Sequence, residues 1–183
     1  KPRDSYLLAI DPKTGDDLWK HIRPSDAQRE SLEAYTTPIP YEGSGRKEII
    51  IHGGDYTTGH DPKTGKELWR WGDYNLRKSP NWRIVPSAVT GAGNIYVAAP
   101  KRAPVYAIPG GAEGRLPFEN HLWSFDDYPP DVCVPLFYKN RLFVFDGDKH
   151  VLTCLDPITG KSIWSGDVGG KTVYRASPSG GDG

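Results

Sequence analysis

The stretch Gly59-His-Asp-Pro-Lys-Thr-Gly-Lys-Glu-Leu-Trp69 decides the fold of this chain, because related stretches recur along it. Ala9–Trp19 and Cys154–Trp164 share its Asp-Pro-x-Thr-Gly core and its terminal Trp, and a degenerate copy runs from Ala107 to Trp123. The four tryptophans are spaced by 50, 54 and 41 residues. Self-similarity with such a period indicates a repeat architecture.

Each Asp-Pro-x-Thr-Gly stretch predicts a tight turn between two antiparallel strands. Pro presets φ for the first corner of the turn. The Asp side chain can accept hydrogen bonds from N–H groups within the turn, and Gly supplies the positive φ with which the chain enters the second strand. Two further strand-like runs precede the later hairpins, so each repeat predicts a unit of four antiparallel strands, which is the blade of a β-propeller.

We therefore predict an all-β fold, a β-propeller of four-stranded antiparallel blades. The predicted partial propeller spans 1–183 and comprises a half blade at 5–20, complete blades at 35–71, 83–125 and 131–166, and the first strand of a next blade at 174–183. Ser25–Ala34 predicts a short helix or a surface loop between blades, with Ser25 and Gln28 as a weak capping box.

The composition excludes several classes of protein. The 23 Lys and Arg residues balance the 23 Asp and Glu residues, so no net field steers the chain toward nucleic acid or an anionic membrane. No apolar run is long enough for a transmembrane helix, and we predict no membrane insertion. The chain contains no Met, and we expect Lys1 to follow a removed segment or a cut.

The two cysteines, Cys133 and Cys154, are too few for a disulfide framework. Both lie within apolar stretches, so we expect small buried side chains, with a disulfide as the alternative.

The pattern Ala-x-Asp-x-x-Thr-Gly-x-x-x-Trp, complete in Ala9–Trp19, resembles the repeat of pyrroloquinoline-quinone-type β-propellers. The resemblance covers essentially the whole chain and implies a ring of seven or eight blades, of which this chain forms about half. It also implies that the small first residue, the Gly and the Trp of each repeat make the docking contact between blades. In this chain those positions are Ala9, Gly15, Trp19, Gly65, Trp69, Ala107, Trp123, Cys154, Gly160 and Trp164.

The resemblance leaves the activity open, because quinoprotein dehydrogenases, the propeller subunit of the outer-membrane β-barrel insertion machinery and many propellers of no assigned role share the repeat. The dehydrogenases hold Ca²⁺ with a Glu, an Asn and an Asp, use a catalytic Asp and a Trp floor, and often carry a disulfide between adjacent cysteines. Cys133 and Cys154 are not adjacent, and no segment resembles those sites. We therefore predict no catalytic or cofactor-binding residue in this segment.

Two segments of the blade at 83–125 are not explained by the repeat. Asn81-Trp-Arg83 precedes its first strand, and Pro100-Lys-Arg-Ala-Pro104 replaces a short turn. Loops at a propeller rim commonly bind partners. We predict an aromatic and cationic patch for a carboxylate, a sugar acid or a peptide, made of Trp82, Arg83, Lys101, Arg102 and Tyr74. The alternative is a solvated loop whose Arg stems pack on aromatic rings.

Two histidines near an acidic residue could resemble a metal cluster. His52, Asp55 and His60 lie close in sequence, but their spacing matches no familiar ligand set. We therefore predict no metal site and a surface or edge position for the histidines.

These features favour a non-catalytic propeller that serves as a binding or scaffold module and recognises a protein or carbohydrate partner at its rim. The resemblance implies a location beyond the cytoplasmic membrane. The alternative is part of a pyrroloquinoline-quinone-dependent alcohol or sugar dehydrogenase, with quinone and Ca²⁺ bound outside this segment. In both cases we expect the remainder of the propeller, or a second copy, to close the ring.

Overall fold

The computed structural model describes residues 4–182, and its strands form four sheets that follow one another along the chain. In chain order the strands are β1 (Tyr6–Ile10), β2 (Asp17–Ile22), β3 (Ile39–Gly43), β4 (Arg46–Gly53), β5 (Tyr56–His60), β6 (Glu67–Gly72), β7 (Val89–Gly91), β8 (Asn94–Ala98), β9 (Val105–Pro109), β10 (Gly114–Leu116), β11 (Trp123–Phe125), β12 (Leu136–Tyr138), β13 (Arg141–Asp146), β14 (Val151–Leu155) and β15 (Ser162–Asp167).

We number the sheets as blades I to IV. Blade I contains β1 and β2, blade II β3 to β6, blade III β7, β8, β9 and β11, and blade IV β12 to β15. Neighbouring strands within each blade are antiparallel. The first strands of blades II, III and IV contact one another in succession, so they lie innermost and the fourth strands lie outermost. This is the arrangement of a β-propeller, and the predicted fold class is confirmed.

The three Asp-Pro-x-Thr-Gly turns adopt one geometry. Their glycines have φ of +81° at Gly15, +72° at Gly65 and +71° at Gly160, the left-handed conformation that Gly tolerates best. The Asp61 carboxylate accepts hydrogen bonds from the backbone N–H of Lys63 and of Thr64, and Asp156 does the same in its own turn. These backbone donors lower the pKa of both carboxyl groups.

The degenerate repeat supplies a strand that the sequence did not predict. Its chain leaves blade III after β9 and forms β10, which pairs in parallel with β6 at the outer edge of blade II. Blade II therefore has five strands, ordered β10-β6-β5-β4-β3. Because the added strand supplies hydrogen-bond partners, the β6 edge is not left open.

The innermost strands of blades III and IV are short, Val89–Gly91 and Leu136–Tyr138. Pro86 and Pro135 precede them, and a proline has no N–H to donate to a neighbouring strand.

The predicted first strand of a next blade at 174–183 is wrong for the described residues up to 182, where no strand forms. The tail nevertheless packs against blade IV, because the Tyr138 hydroxyl donates to the Gly181 carbonyl and the Ser177 hydroxyl accepts from the Val134 N–H. Among residues 4–182 no neighbouring strand lies beside the tail to provide hydrogen-bond partners for a ladder. Gly183 lies outside the described residues.

The segment between blades I and II contains a short 3-10 helix, Arg29–Leu32. The capping box predicted for Ser25 and Gln28 is wrong. The Ser25 hydroxyl instead donates to the Gly54 carbonyl of blade II, and no side chain caps the helix. Both cysteines are buried free thiols, as expected, so no disulfide joins them. No helix within residues 4–182 combines the length and apolarity that a membrane crossing requires.

Candidate functional site

The antiparallel blades place their connections at two ends of the molecule. The turn end carries the Asp-Pro-x-Thr-Gly turns and the connections from first to second strands. The rim end carries the connections from second to third strands and those between blades. Every residue of the predicted aromatic and cationic patch lies in a rim-end connection.

Two blade junctions at the turn end share one aromatic contact. The Trp19 ring of blade I lies against Gly65 of blade II, and the Trp123 ring of blade III lies against Gly160 of blade IV. A side chain at either glycine would overlap the ring. Trp123 Nε1 also donates to the Pro157 carbonyl at 3.1 Å. Within each blade the Trp pairs across the ladder with the small first residue of its repeat, as Ala9 does with Trp19 and Cys154 with Trp164.

The junction between blades II and III lacks this contact because the hairpin of blade III is degenerate. Trp69 Nε1 instead donates a hydrogen bond to Oε2 of Glu48 in its own blade, at 2.5 Å. Arg46 Nε donates to the other oxygen of Glu48 at 2.9 Å. Arg46 Nη2 then donates to the Ala112 carbonyl. Ala112 lies in residues 110–122, which we call the blade III insertion, so an ionic network spans the junction.

The structure separates the cations of the predicted patch from its two aromatic residues. Arg83 forms an ion pair with Glu30 at 2.6 Å, and Arg102 Nη2 lies 2.6 Å from Asp146 Oδ2 in blade IV. Asp146 is fully buried and also accepts two backbone N–H groups, so it engages Arg102 in a structural contact. Lys101 is exposed. Ligand binding by these cations stays a prediction, but two of them already have carboxylate partners.

The other two members, Tyr74 and Trp82, face a common cavity of about 500 Å³. It lies in the connection from blade II to blade III, and we call residues 73–82 the rim loop. The cavity is lined by Tyr74, Asn75, Leu76, Arg77, Ser79 and Trp82. Sequence reasoning missed Leu76 and Arg77, although a lone Leu in a polar segment outside any predicted strand was a signal that could have found them.

Leu76 is 79% exposed, more than any other large hydrophobic residue described. It stands on a firmly held loop. The Asn75 side chain is buried and donates to both carboxylate oxygens of Asp55 at 2.9 and 3.0 Å. Asn75 Oδ1 accepts from the Ser79 N–H, which closes the loop beneath Leu76. These hydrogen bonds fix the backbone on both sides of Leu76.

Further contacts attach the rim loop to two neighbouring segments, the connection between blades I and II and strand β10. Lys78 Nζ donates to Asp26 at 2.8 Å. The Ser31 hydroxyl donates to the Ser79 carbonyl and accepts from the Trp82 N–H. Arg115 of β10 holds both oxygens of Asp73 at 2.8 and 2.9 Å. Arg77 has no carboxylate partner among the residues the structure describes, so it is the free cation beside the cavity.

The prediction that the histidines lie at the surface or an edge is wrong for His52 and His60, which are both buried. His52 Nε2 donates to the Ala98 carbonyl of blade III and its Nδ1 accepts from the Thr57 hydroxyl. His60 Nδ1 donates to the Gly65 carbonyl. Burial lowers the pKa of His52 to about 4 and also lowers that of His60. Both rings are neutral parts of the core.

Among the buried side-chain nitrogen and oxygen atoms of residues 4–182, one has no hydrogen-bond partner. The Tyr74 hydroxyl lies inside the rim end without a hydrogen bond, and burial raises its pKa well above the ordinary value. An internal water is the usual partner for such a group.

Two neighbouring carboxylates at the rim end, Asp26 and Asp55, both face the Lys78 ammonium, at 2.8 and 3.9 Å. Within residues 4–182 no three His, Cys, Asp or Glu side chains are grouped for a metal ion. That this segment lacks the ligands of calcium and of pyrroloquinoline quinone stays a prediction.

Comparison with known proteins matches this chain to one family model. The model, described as outer membrane protein assembly factor BamB and built on the pyrroloquinoline-quinone repeat, matches residues 53–179. This is more than half of the chain. No curated protein sequence matches the chain.

Solved structures with the same fold include both branches of the resemblance. BamB from Moraxella catarrhalis superposes with a TM-score of 0.63 at 13% identity, over 96% of this chain and 49% of that protein. The quinohemoprotein alcohol dehydrogenase ADHIIG of Pseudomonas putida superposes with a TM-score of 0.55 at 16% identity, over 86% of this chain and 22% of that protein. The quinohemoprotein alcohol dehydrogenase of Comamonas testosteroni superposes with a TM-score of 0.55 at 16% identity, over 76% of this chain and 21% of that protein. This chain thus spans about half the length of the BamB structure, and these identities support the fold alone.

Proposed function

Because the chain belongs to the family described as outer membrane protein assembly factor BamB, we propose that it is a non-catalytic propeller segment that binds a protein partner at its rim end during outer-membrane protein assembly. We further propose that it acts beyond the cytoplasmic membrane, where such assembly takes place.

The exposed Leu76 on the rim loop carries this proposal. Exposed apolar side chains on rigid loops are suited to protein recognition, because little conformational entropy is lost on binding and a central apolar contact contributes most of the affinity. The adjoining cavity, walled by Tyr74 and Trp82, offers a pocket for a side chain of the partner. Arg77 stands free at its edge to meet a carboxylate.

A protein partner fits this surface better than a carbohydrate. The predicted sugar-acid patch relied on Arg83 and Arg102, and both guanidinium groups pair with carboxylates of the protein itself. An isolated leucine at the tip of a loop has no hydrogen bond to offer a sugar hydroxyl. It does offer apolar area, which drives most protein association.

Ring closure is a second part of the proposal. Trp164 of blade IV is 46% exposed, and Gly15 of blade I has no ring against it, whereas the corresponding residues at two inner junctions are in contact. We propose that the remainder of the propeller, or a second copy, supplies the missing contacts.

A quinone-dependent dehydrogenase remains the alternative for the whole ring. One experiment distinguishes this alternative from the non-catalytic propeller. Pyrroloquinoline quinone and Ca²⁺ are added to the full-length protein and the absorbance of bound cofactor is recorded, since bound cofactor would favour the enzyme.

Photo-crosslinking tests the proposed surface directly. A photoreactive amino acid is placed at position 76 or, as a control, at position 158, where Ile158 is 59% exposed on an Asp-Pro-x-Thr-Gly turn at the opposite end. In the source cells we expect a discrete protein adduct from position 76, lost when Trp82→Ala is added, and none from position 158. No adduct at position 76, or the same adduct at both positions, would contradict the proposal.

A further inference from the structure

The blade III insertion, residues 110–122, reaches blade II at the root of the rim loop. Its strand β10 pairs with β6 so that Arg115 lies opposite Arg70 and Leu116 opposite Trp71. The β6 strand ends at Gly72, and the rim loop begins at the next residue. The insertion therefore lies beside the point at which the chain leaves the sheet for the candidate binding loop.

Two contacts join the insertion to that point. Arg115 Nη2 donates to both carboxylate oxygens of Asp73, and Asp73 has a φ of +69°, a left-handed conformation that is uncommon for a residue with a side chain. The Phe118 ring stacks on Trp71 with centroids 5.3 Å apart, and the Phe118 carbonyl accepts from Trp71 Nε1 at 3.1 Å. Trp71 in turn contacts Tyr74 of the rim loop, 5.8 Å between centroids.

We propose that the insertion is a brace that positions the rim loop for its partner, with Arg115 as the positioning residue. This inference rests on the proposed function, since the loop must be the binding element for its position to matter. The brace holds Asp73 in its left-handed conformation and so sets the direction in which the chain leaves β6. Leu76 and Arg77 are presented from that starting point, and Arg115 itself need not touch the partner.

The same contacts occupy the place of the regular repeat in this blade. The residues that would form a short Asp-Pro-x-Thr-Gly turn are replaced by a longer path, and that path makes the contacts to Asp73 and Trp71. Arg46 of blade II secures its start through the Ala112 carbonyl. The degenerate repeat thus exchanges one docking contact at the turn end for a connection that reaches the rim loop.

If the brace is correct, removing Arg115 changes the local stability of the rim loop without changing the global stability of the protein. Arg115 and Asp73 are 58% and 31% exposed at their side chains, and exposed ion pairs contribute little to overall stability. Arg115→Ala should therefore leave the unfolding transition unchanged but loosen the loop. A matched control is Arg175→Ala, which removes an arginine of similar exposure, 55%, that pairs with Asp148 in blade IV.

Hydrogen exchange followed by mass spectrometry tests the brace. In Arg115→Ala we expect the amides of residues 74–79 to exchange roughly fivefold faster than in the unchanged protein, with blade IV unaffected. Arg175→Ala should leave the exchange of those amides as it is. Unchanged exchange at residues 74–79 in Arg115→Ala, or a uniform rise that includes blade IV, would overturn the brace.

This result is separable from the proposed function. Faster loop exchange in Arg115→Ala together with no crosslink from position 76 would support the brace and contradict the binding role. Unchanged exchange together with a specific crosslink would contradict the brace and leave the binding role supported.

Discussion

Trp69 Nε1 donates a 2.5 Å hydrogen bond to Oε2 of Glu48, a carboxylate whose side chain is fully buried. The interaction replaces, within one blade, the contact that Trp123 makes with the next blade. It also places Glu48 between an indole N–H and the Arg46 guanidinium, so one buried acid serves two donors. A junction that has lost its repeat turn is thus held by an ionic network.

Removing the acid should be costly. Glu48→Ala leaves the Trp69 N–H and the Arg46 guanidinium without their buried acceptor, and we expect a loss of about 2–3 kcal/mol in the free energy of unfolding. Glu42→Ala, which removes an exposed acid paired with Lys47 on the same hairpin, should change it by less than about 0.5 kcal/mol. Urea unfolding measures both. Equal effects for the two variants would show that the network does not stabilise the junction.

The aromatic docking contact predicts a difference between two turns of the same sequence pattern. Gly15→Ala and Gly160→Ala place a side chain in the same left-handed conformation, but only at Gly160 does the new Cβ meet a tryptophan ring. We expect Gly15→Ala to cost about 1 kcal/mol through backbone strain. Gly160→Ala should cost about 1–3 kcal/mol more through overlap with Trp123. Thermal unfolding of the pair gives this difference, and equal melting temperatures would argue against docking.

Stability should fall in mild acid because of His52. The pKa of His52 is about 4 in the folded protein and 6.5 in its ordinary state, so the unfolded chain binds a proton first as the pH falls. The contribution of the neutral ring to the free energy of unfolding is complete above pH 6.5. It is lost progressively as the pH falls from 6.5 to 4, and the total loss is at most about 3 kcal/mol.

Urea unfolding at pH 7.5 and pH 5 measures this loss. His52→Gln should reduce the dependence on pH, because Gln keeps a hydrogen-bonding group but does not titrate. The His52 account fails if His52→Gln and the unchanged protein lose the same stability between the two pH values.

The division of the rim-end cations predicts that Arg102 is structural. Asp146→Ala should destabilise the protein by about 2–4 kcal/mol, because Arg102 and two backbone N–H groups lose their buried acceptor. Arg102→Ala should cost about 1–2 kcal/mol, and Lys101→Ala, an exposed neighbour, less than about 0.5 kcal/mol. If Arg102→Ala were as neutral as Lys101→Ala in urea unfolding, Arg102 would again be available for a ligand.

The fold was predictable because its signals are local. The conformation of a turn such as Asp61–Gly65 is determined within the turn, by the Pro, the Asx hydrogen bonds and the glycine. The recurrence of the turn along the chain predicts the blades. The pairing of β10 with β6 could not be predicted, since Gly114 and Trp69 are far apart in sequence and neither strand marks the other as its partner. The same holds for His52, whose burial depends on the Ala98 carbonyl of the next blade.

The candidate site was only partly predictable for a related reason. Trp82 and Tyr74 stood out by residue type, and the structure places both at one cavity. The carboxylate partners of Arg83 and Arg102 lie in other segments, so residue type alone could not show that these cations are already paired. Asn75 was overlooked because an asparagine in a loop is ordinary until its Asp55 partner is known.

Replacement of the rim loop surface in the source cells tests the central claim most directly. The gene is altered to carry Leu76→Asp with Trp82→Ala or, as a control, Ile158→Asp at the turn end, and unfolding measurements verify that both variants fold. The quantity measured is the amount of β-barrel protein in the outer membrane. We predict a clear fall for the rim-loop variant and the unaltered level for the control. Unaltered levels in both strains would contradict a role for the rim loop in outer-membrane protein assembly.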